Sequence, residues 1–169
     1  SFKYLENLED LYIKMGNNKK IDSLDFLSNC NKLKKLNLSL NNSWGDNMKI
    51  KNLNVLRNLS ELEELEISDI NLTEDLNLIA LSSCLNLRKL TLYFNSFNSQ
   101  KGFDFKLLNK CISLETLNIN GLPEINICGE IMDINKLNGL HNLKELIIGD
   151  DSYRSKVIKI IGSENKVFL

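Results

Sequence analysis

The 169-residue sequence predicts an α/β solenoid, a horseshoe in which a concave parallel β-sheet is backed by short helices on the convex side. Two observations predict it. Six stretches share one apolar spelling: LENLEDLYI from Leu5, CNKLKKLNL from Cys30, LSELEELEI from Leu59, CLNLRKLTL from Cys84, CISLETLNI from Cys111 and LHNLKELII from Leu140. All obey (C/L)xxLxxLx(L/I). The second apolar position of each falls at Leu8, Leu33, Leu62, Leu87, Leu114 and Leu143, at intervals of 25, 29, 25, 27 and 29 residues. Self-similarity at such a period is the signature of stacked repeats.

The elements of each repeat follow from its apolar spacing. The end of each spelling alternates apolar and polar residues before breaking into a polar loop, which reads as a short strand with one buried face. Upstream, apolar residues recur at helical spacing: Ile21, Leu24, Leu27 and Cys30; Leu53, Leu56 and Leu59; Ile79, Leu81 and Cys84; Phe105, Leu108 and Cys111; Ile134, Leu137 and Leu140. These predict helices of one or two turns, with Asp22 or Ser23 and Asp75 placed to cap the first and third. One strand and one short helix cannot bury their apolar side alone. Stacking at ~4.8 Å per strand lets the leucines of each repeat cover those of the next. Helices need more width than strands, so the stack bends and the sheet lines its inner side.

Residues 1–151 thus divide into six repeats of 25 to 29 residues. In 152–169, KVIKII and KVFL flank GSEN, which reads as a cap hairpin or a truncated seventh repeat. Only Ser1 to Tyr4 precede the first spelling, so no N-terminal cap is expected there, as in a piece of a longer array. A targeting peptide removed ahead of Ser1 would leave no trace.

From Leu5 to Asp151 the chain resembles the leucine-rich repeat family. Asn41 and Asn95 stand where that family places an asparagine after the strand, a position held elsewhere by Gly16, Ile70, Leu122 and Asp151. The period and the helix-ending cysteine, as in DSLDFLSNCNKLKKLNL, look most like the cysteine-containing subclass of F-box adaptor proteins, although no repeat has that subclass's second cysteine at the ladder position. Bacterial and protist surface repeats spelled F-x-x-C-x-x-L are a competing resemblance with a shorter period. The first resemblance implies substrate recognition within a ubiquitin ligase, the second a secreted or surface adhesion role.

Charge and hydropathy exclude other classes. Lys plus Arg number 21 against 22 Asp plus Glu, with a sequence pI near 5.9, so there is no basic surplus for nucleic-acid phosphates. Leu76 to Leu81 and Val157 to Ile161 are far shorter than the roughly 20 apolar residues of a membrane span. Asn occurs 25 times, a bias expected of an AT-rich genome. Sequons at Asn37, Asn41, Asn58 and Asn71 are therefore close to what chance produces.

Three of the four cysteines, Cys30, Cys84 and Cys111, occupy the position that leucine fills in the other repeats. That position calls for a compact hydrophobe, which a free thiol supplies. Zinc would need further ligands at suitable spacing, and none is near. Cys128, in INICGEI, stands apart; outer-face packing is its simple role and a reactive thiol its alternative. His141, the lone histidine, falls in the turn before a strand without a nucleophile beside it. No glycine-rich phosphate loop occurs. No cofactor and no metal are expected, and the chain reads as non-enzymatic.

After the second apolar position stand Glu9, Lys34, Glu63, Arg88, Glu115 and Lys144, alternating in sign, followed by Asp10, Lys35, Glu64, Lys89, Thr116 and Glu145. Stacking sets opposite charges beside each other, at roughly 0.2 to 1 kcal/mol per pair, and disfavours a slip by one whole repeat. The next inward column is Tyr12, Asn37, Glu66, Thr91, Asn118 and Ile147. Tyr12, Lys14, Met15, Leu40, Glu66, Asp69, Tyr93, Phe94, Asn118 and Asn120 are the candidate partner-binding residues of the concave face. Aromatic residues not required by the fold are the usual anchors of interfaces. Trp44, in the loop NNSWGDN, either covers the rim or is a further anchor.

The expected function is a non-enzymatic protein–protein interaction scaffold, intracellular (cytoplasmic or nuclear), that grips a protein partner by its concave face. Alternatives are the adaptor and adhesion roles, a subunit wedged into a large assembly, and a ligase-type enzyme acting through Cys128 or a domain elsewhere.

Overall fold

The computed structural model describes residues 4–14, 23–39, 53–70, 78–94, 108–122, 137, 139–150, 158–161 and 166–168. Among the described residues, eight strands form one sheet in chain order: β1 Asp10–Lys14, β2 Lys35–Ser39, β3 Glu64–Ile70, β4 Lys89–Phe94, β5 Thr116–Leu122, β6 Glu145–Asp150, β7 Ile158–Ile161 and β8 Lys166–Phe168. The first six are parallel. β7 runs antiparallel to β6, and β8 antiparallel to β7.

Register follows the repeat. Leu11, Leu36, Leu65, Leu90, Leu117 and Leu146 are successive Cα partners, and so are Tyr12, Asn37, Glu66, Thr91, Asn118 and Ile147. Odd and even strand positions face opposite ways, which sends the first row into the interior and the second to the open face. Leu36, Leu65, Leu90 and Leu117 are buried in one continuous core with Leu38, Ile67, Leu92 and Ile119. Leu8, Leu11 and Ile13 of the first repeat pack against that core and are only partly buried.

The backbone repeats as faithfully as the leucines. The Glu9 carbonyl accepts from the Lys34 and Lys35 N–H groups at 2.7 and 2.9 Å, and the carbonyls of Lys34, Glu63, Arg88 and Glu115 each accept the equivalent pair one repeat further on. Every parallel strand after β1 is thereby locked at its start to the strand before it.

The expected short helices take a tighter form. Asp25–Leu27, Asn54–Asn58 and Leu78–Ser83 are 3-10 helices. The Cys30 N–H donates to Leu27 and Leu33 N–H to Cys30; Leu59 to Leu56 and Leu62 to Leu59; Cys84 to Leu81 and Leu87 to Cys84; Cys111 to Leu108 and Leu114 to Cys111. A spacing of three is the 3-10 period, in which residues i and i+3 eclipse one another. Leu24, Leu27, Cys30 and Leu33 therefore form one buried file, which 3.6 residues per turn would smear around the helix. Ser23 Oγ accepts from the Asp25 N–H at 3.1 Å. Asp22 and Asp75 lie outside the described residues.

Two bulges modify the expected columns. β3 gains a residue relative to β4 after Ile67, so that Ile70 rather than Asp69 stands opposite Phe94. β5 gains one relative to β6 after Ile119, placing Leu122 opposite Asp150. An inserted residue bends its strand and breaks the ladder locally, so the ungapped alignment of repeats is valid only up to those points. Among the described residues, no helix is long and apolar enough to cross a membrane.

Candidate functional site

Several of the charged residues that enter the strands neutralise one another. Lys34 Nζ lies 2.8 Å from Glu9 Oε2, Lys35 Nζ 2.8 Å from Glu64 Oε1, and Lys144 Nζ 2.6 Å from Glu115 Oε2, with Arg88 3.9 Å from the same carboxylate. Among the described residues the alternation thus becomes contact at Glu9–Lys34, Lys35–Glu64, Arg88–Glu115 and Glu115–Lys144. The Lys34 hydrogen bond holds the Glu9 carboxyl below its ordinary pKa, and Glu9 in turn raises Lys34. Glu64 raises Lys35, while Lys144, and more weakly Arg88, lower Glu115. All these groups are solvent-facing, so the pairs specify register more than they stabilise.

The middle row is quieter and deeper. Tyr12 begins it, 62% exposed. Asn37 and Glu66 are half-buried, and Thr91 is 4% exposed. On one side the row is flanked by the longer side chains of Lys35, Glu64 and Lys89. Around it, β1 to β4 form a depression of about 360 Å³, lined by Asp10, Tyr12, Lys35, Asn37, Glu64, Glu66, Lys89 and Thr91 over the backbone of the leucine row.

The structure brings two candidate binding residues, Tyr12 and Glu66, into this depression. Lys14, Tyr93, Asn118 and Asn120 lie on the same sheet but do not line it. Tyr93 is 39% exposed, and Asn120 Nδ2 donates to Asn118 Oδ1. Asp69 and Phe94 are strand residues in backbone register only; Met15, Leu40, Trp44 and Cys128 lie outside the described residues. Sequence reasoning placed Asn37 and Thr91 in the right column without selecting them, because column membership is periodic whereas depth depends on several neighbouring side chains. The Asn37 Oδ1 atom is buried without a hydrogen-bond partner.

The cysteines sit behind the sheet. Cys30, Cys84 and Cys111 are free and buried, as their exchange with leucine requires. Burial raises the Cys30 pKa and pushes Cys84 to about 12 and Cys111 to about 11. Cys111 Sγ lies 3.2 Å from the Leu81 carbonyl and Cys84 Sγ 3.7 Å from that of Leu56. The helix-ending cysteine is thus a packing position rather than the mark of a subclass. Among the described residues, no group of three or more His, Cys, Asp or Glu side chains is placed to hold a metal ion. His141 is exposed in its turn.

No protein-family model matches the chain, and no curated protein sequence matches it. Among solved structures, it is similar to an internalin (inlF) from Listeria monocytogenes, with a TM-score of 0.55 and 24% identity over 88% of this chain and 36% of that one. A second internalin from the same organism, internalin C2, has 24% identity and a TM-score of 0.47 over 89% of this chain and 68% of that one. The chain spans about a third of the first internalin's length. The likeness to the first does not support the F-box adaptor subclass. The likeness to the first, together with the six-stranded parallel array, makes the fold a leucine-rich-repeat solenoid.

Proposed function

We propose that this leucine-rich-repeat solenoid is a non-enzymatic interaction scaffold that holds a partner protein against its concave sheet. The observation carrying this reading is the depression across β1 to β4. Its rear is a closed leucine core, while its front exposes Tyr12 beside a recessed polar row. A rigid stack with a wet, mixed inner face suits recognition of another macromolecule, since large aromatic anchors bordered by polar groups concentrate binding energy. Near-zero net charge, with 21 Lys plus Arg against 22 Asp plus Glu, favours protein over nucleic acid as the partner.

Affinity capture from native lysate tests it, comparing the wild-type chain with Tyr12→Ala plus Tyr93→Ala. Both tyrosines are surface-exposed, so the variant should keep its thermal midpoint. Loss of a reproducibly captured protein is the expected result. Identical capture by both chains would reject the concave face as the binding surface.

A further inference from the structure

Asn37 and Glu66 are Cα partners on adjacent parallel strands, with both side chains directed into the depression. Glu66 makes no ion pair with any described residue. Its neighbour's Oδ1 is a buried acceptor that nothing satisfies. The two side chains therefore stand side by side, ~4.8 Å apart at the backbone, and neither the Glu66 carboxylate nor Asn37 Oδ1 has a hydrogen-bonding partner among the described residues. In the flanking row Lys35 is committed to Glu64 at 2.8 Å, and Lys89 lines the depression without coming within ion-pair distance of Glu66. The charged lining comprises Asp10, Glu64 and Glu66 against Lys35 and Lys89, leaving one net negative charge.

From this arrangement we infer that the depression is a receptor for one arginine side chain projected by the partner protein. This deepens the concave-face reading and rests on it. A guanidinium is donor-only and presents its N–H groups in a planar fork, so one edge can pair with the Glu66 carboxylate while the other meets the Asn37 amide oxygen once that amide turns outward from its buried position. Tyr12, one strand further along the row, presents an exposed ring on which the guanidinium or its aliphatic stem can lie. A neutral donor would satisfy Asn37 but leave Glu66 uncompensated. An anion would meet the Glu66 carboxylate and a lining of net negative charge.

The full chain is panned against a displayed library of random linear peptides, and a recovered peptide is resynthesised with citrulline, the neutral isostere, in place of arginine. Recovered peptides are expected to carry arginine, and citrulline to weaken binding about tenfold. Glu66→Gln should weaken the arginine peptide equally and abolish its advantage over citrulline. Glu66→Lys should shift recovery toward Asp- and Glu-bearing peptides. Peptides that bind equally well with citrulline, or equally well to Glu66→Gln, overturn the arginine site. If such peptides still lose binding to Tyr12→Ala, the concave face remains the binding surface and only the cation pairing falls. A library that yields no peptide sensitive to Tyr12→Ala or Glu66→Gln rejects both.

Discussion

Asn142 Nδ2 donates to the carbonyl oxygen of Ile112, one repeat earlier, at 2.8 Å. Asn86 does the same to Ser60 at 2.8 Å. The two asparagines occupy one repeat position, immediately before the second apolar residue of the spelling. They tie successive turns together outside the sheet, at a different place from the expected ladder of Asn41 and Asn95, which lies outside the described residues. At the same position, Lys32 Nζ donates to Asn7 Oδ1 at 2.9 Å.

Replacing Asn86 or Asn142 by alanine should lower stability by about 0.5–1.5 kcal/mol each, the net value of a hydrogen bond whose acceptor can still be hydrated. Urea unfolding checks this through a lower midpoint at unchanged slope. The two losses should add, since the sites share no partner. An unchanged midpoint in both variants would show the rungs to be ornamental.

Glu115 is the carboxylate between two cations, Lys144 and Arg88. Glu115→Lys puts three like charges in adjacent repeats and should lower the thermal midpoint. Because the cluster is exposed, 1 M salt should recover much of the loss, the screening length there being about 3 Å. Combining it with Lys144→Glu restores an opposite pair and should regain part of the midpoint in low salt. A salt-independent loss would mean that Glu115 acts through packing.

Cys84 and Cys111 remain thiols in the folded state well past the pH at which an exposed thiol ionises. With folded values near 12 and 11 against an ordinary value of 9.0, the unfolded chain releases these protons first. Their contribution to stability is whole below about pH 9 and is lost as pH rises toward 11 to 12. Urea midpoints at pH 8 and pH 10.5 should fall further for the wild type than for Cys84→Ala plus Cys111→Ala. A thiol-specific reagent at pH 8 should modify neither residue until the chain unfolds.

Gly139 offers a test of turn packing. A Cβ there would lie 3.0 Å from Asn109 Cβ and 3.1 Å from the Asn109 carbonyl oxygen. Gly→Ala at an accommodating site stabilises by restricting the unfolded chain. Here the obstacle includes backbone that the preceding repeat holds in place, so Gly139→Ala should instead destabilise by about 1 kcal/mol. A raised thermal midpoint would show that Asn109 gives way.

Much of this architecture was legible because equivalent residues of neighbouring repeats touch. Once Leu36, Leu65, Leu90 and Leu117 were aligned in the chain, they were aligned in space, and Lys35 found Glu64 by the same rule. The spacing from Leu24 to Leu27 to Cys30 was visible too, but three-residue intervals fit both a short α-helix and a 3-10 helix. Only the hydrogen bonds from Cys30 to Leu27 and from Leu33 to Cys30 decide between them.

The chain alone carried the strand register up to the bulges, the leucine interior and the alternation of charge, since all three are properties of periodicity. Tertiary structure alone decided that β3 and β5 each take an extra residue, that the asparagine rungs lie before the strands, and that Asn37 and Glu66 share an unsatisfied recess. The recess is a sum over side chains of several repeats, while the bulges and rungs depend on the backbone path between neighbouring repeats. That sum across strands leaves no mark in any single repeat.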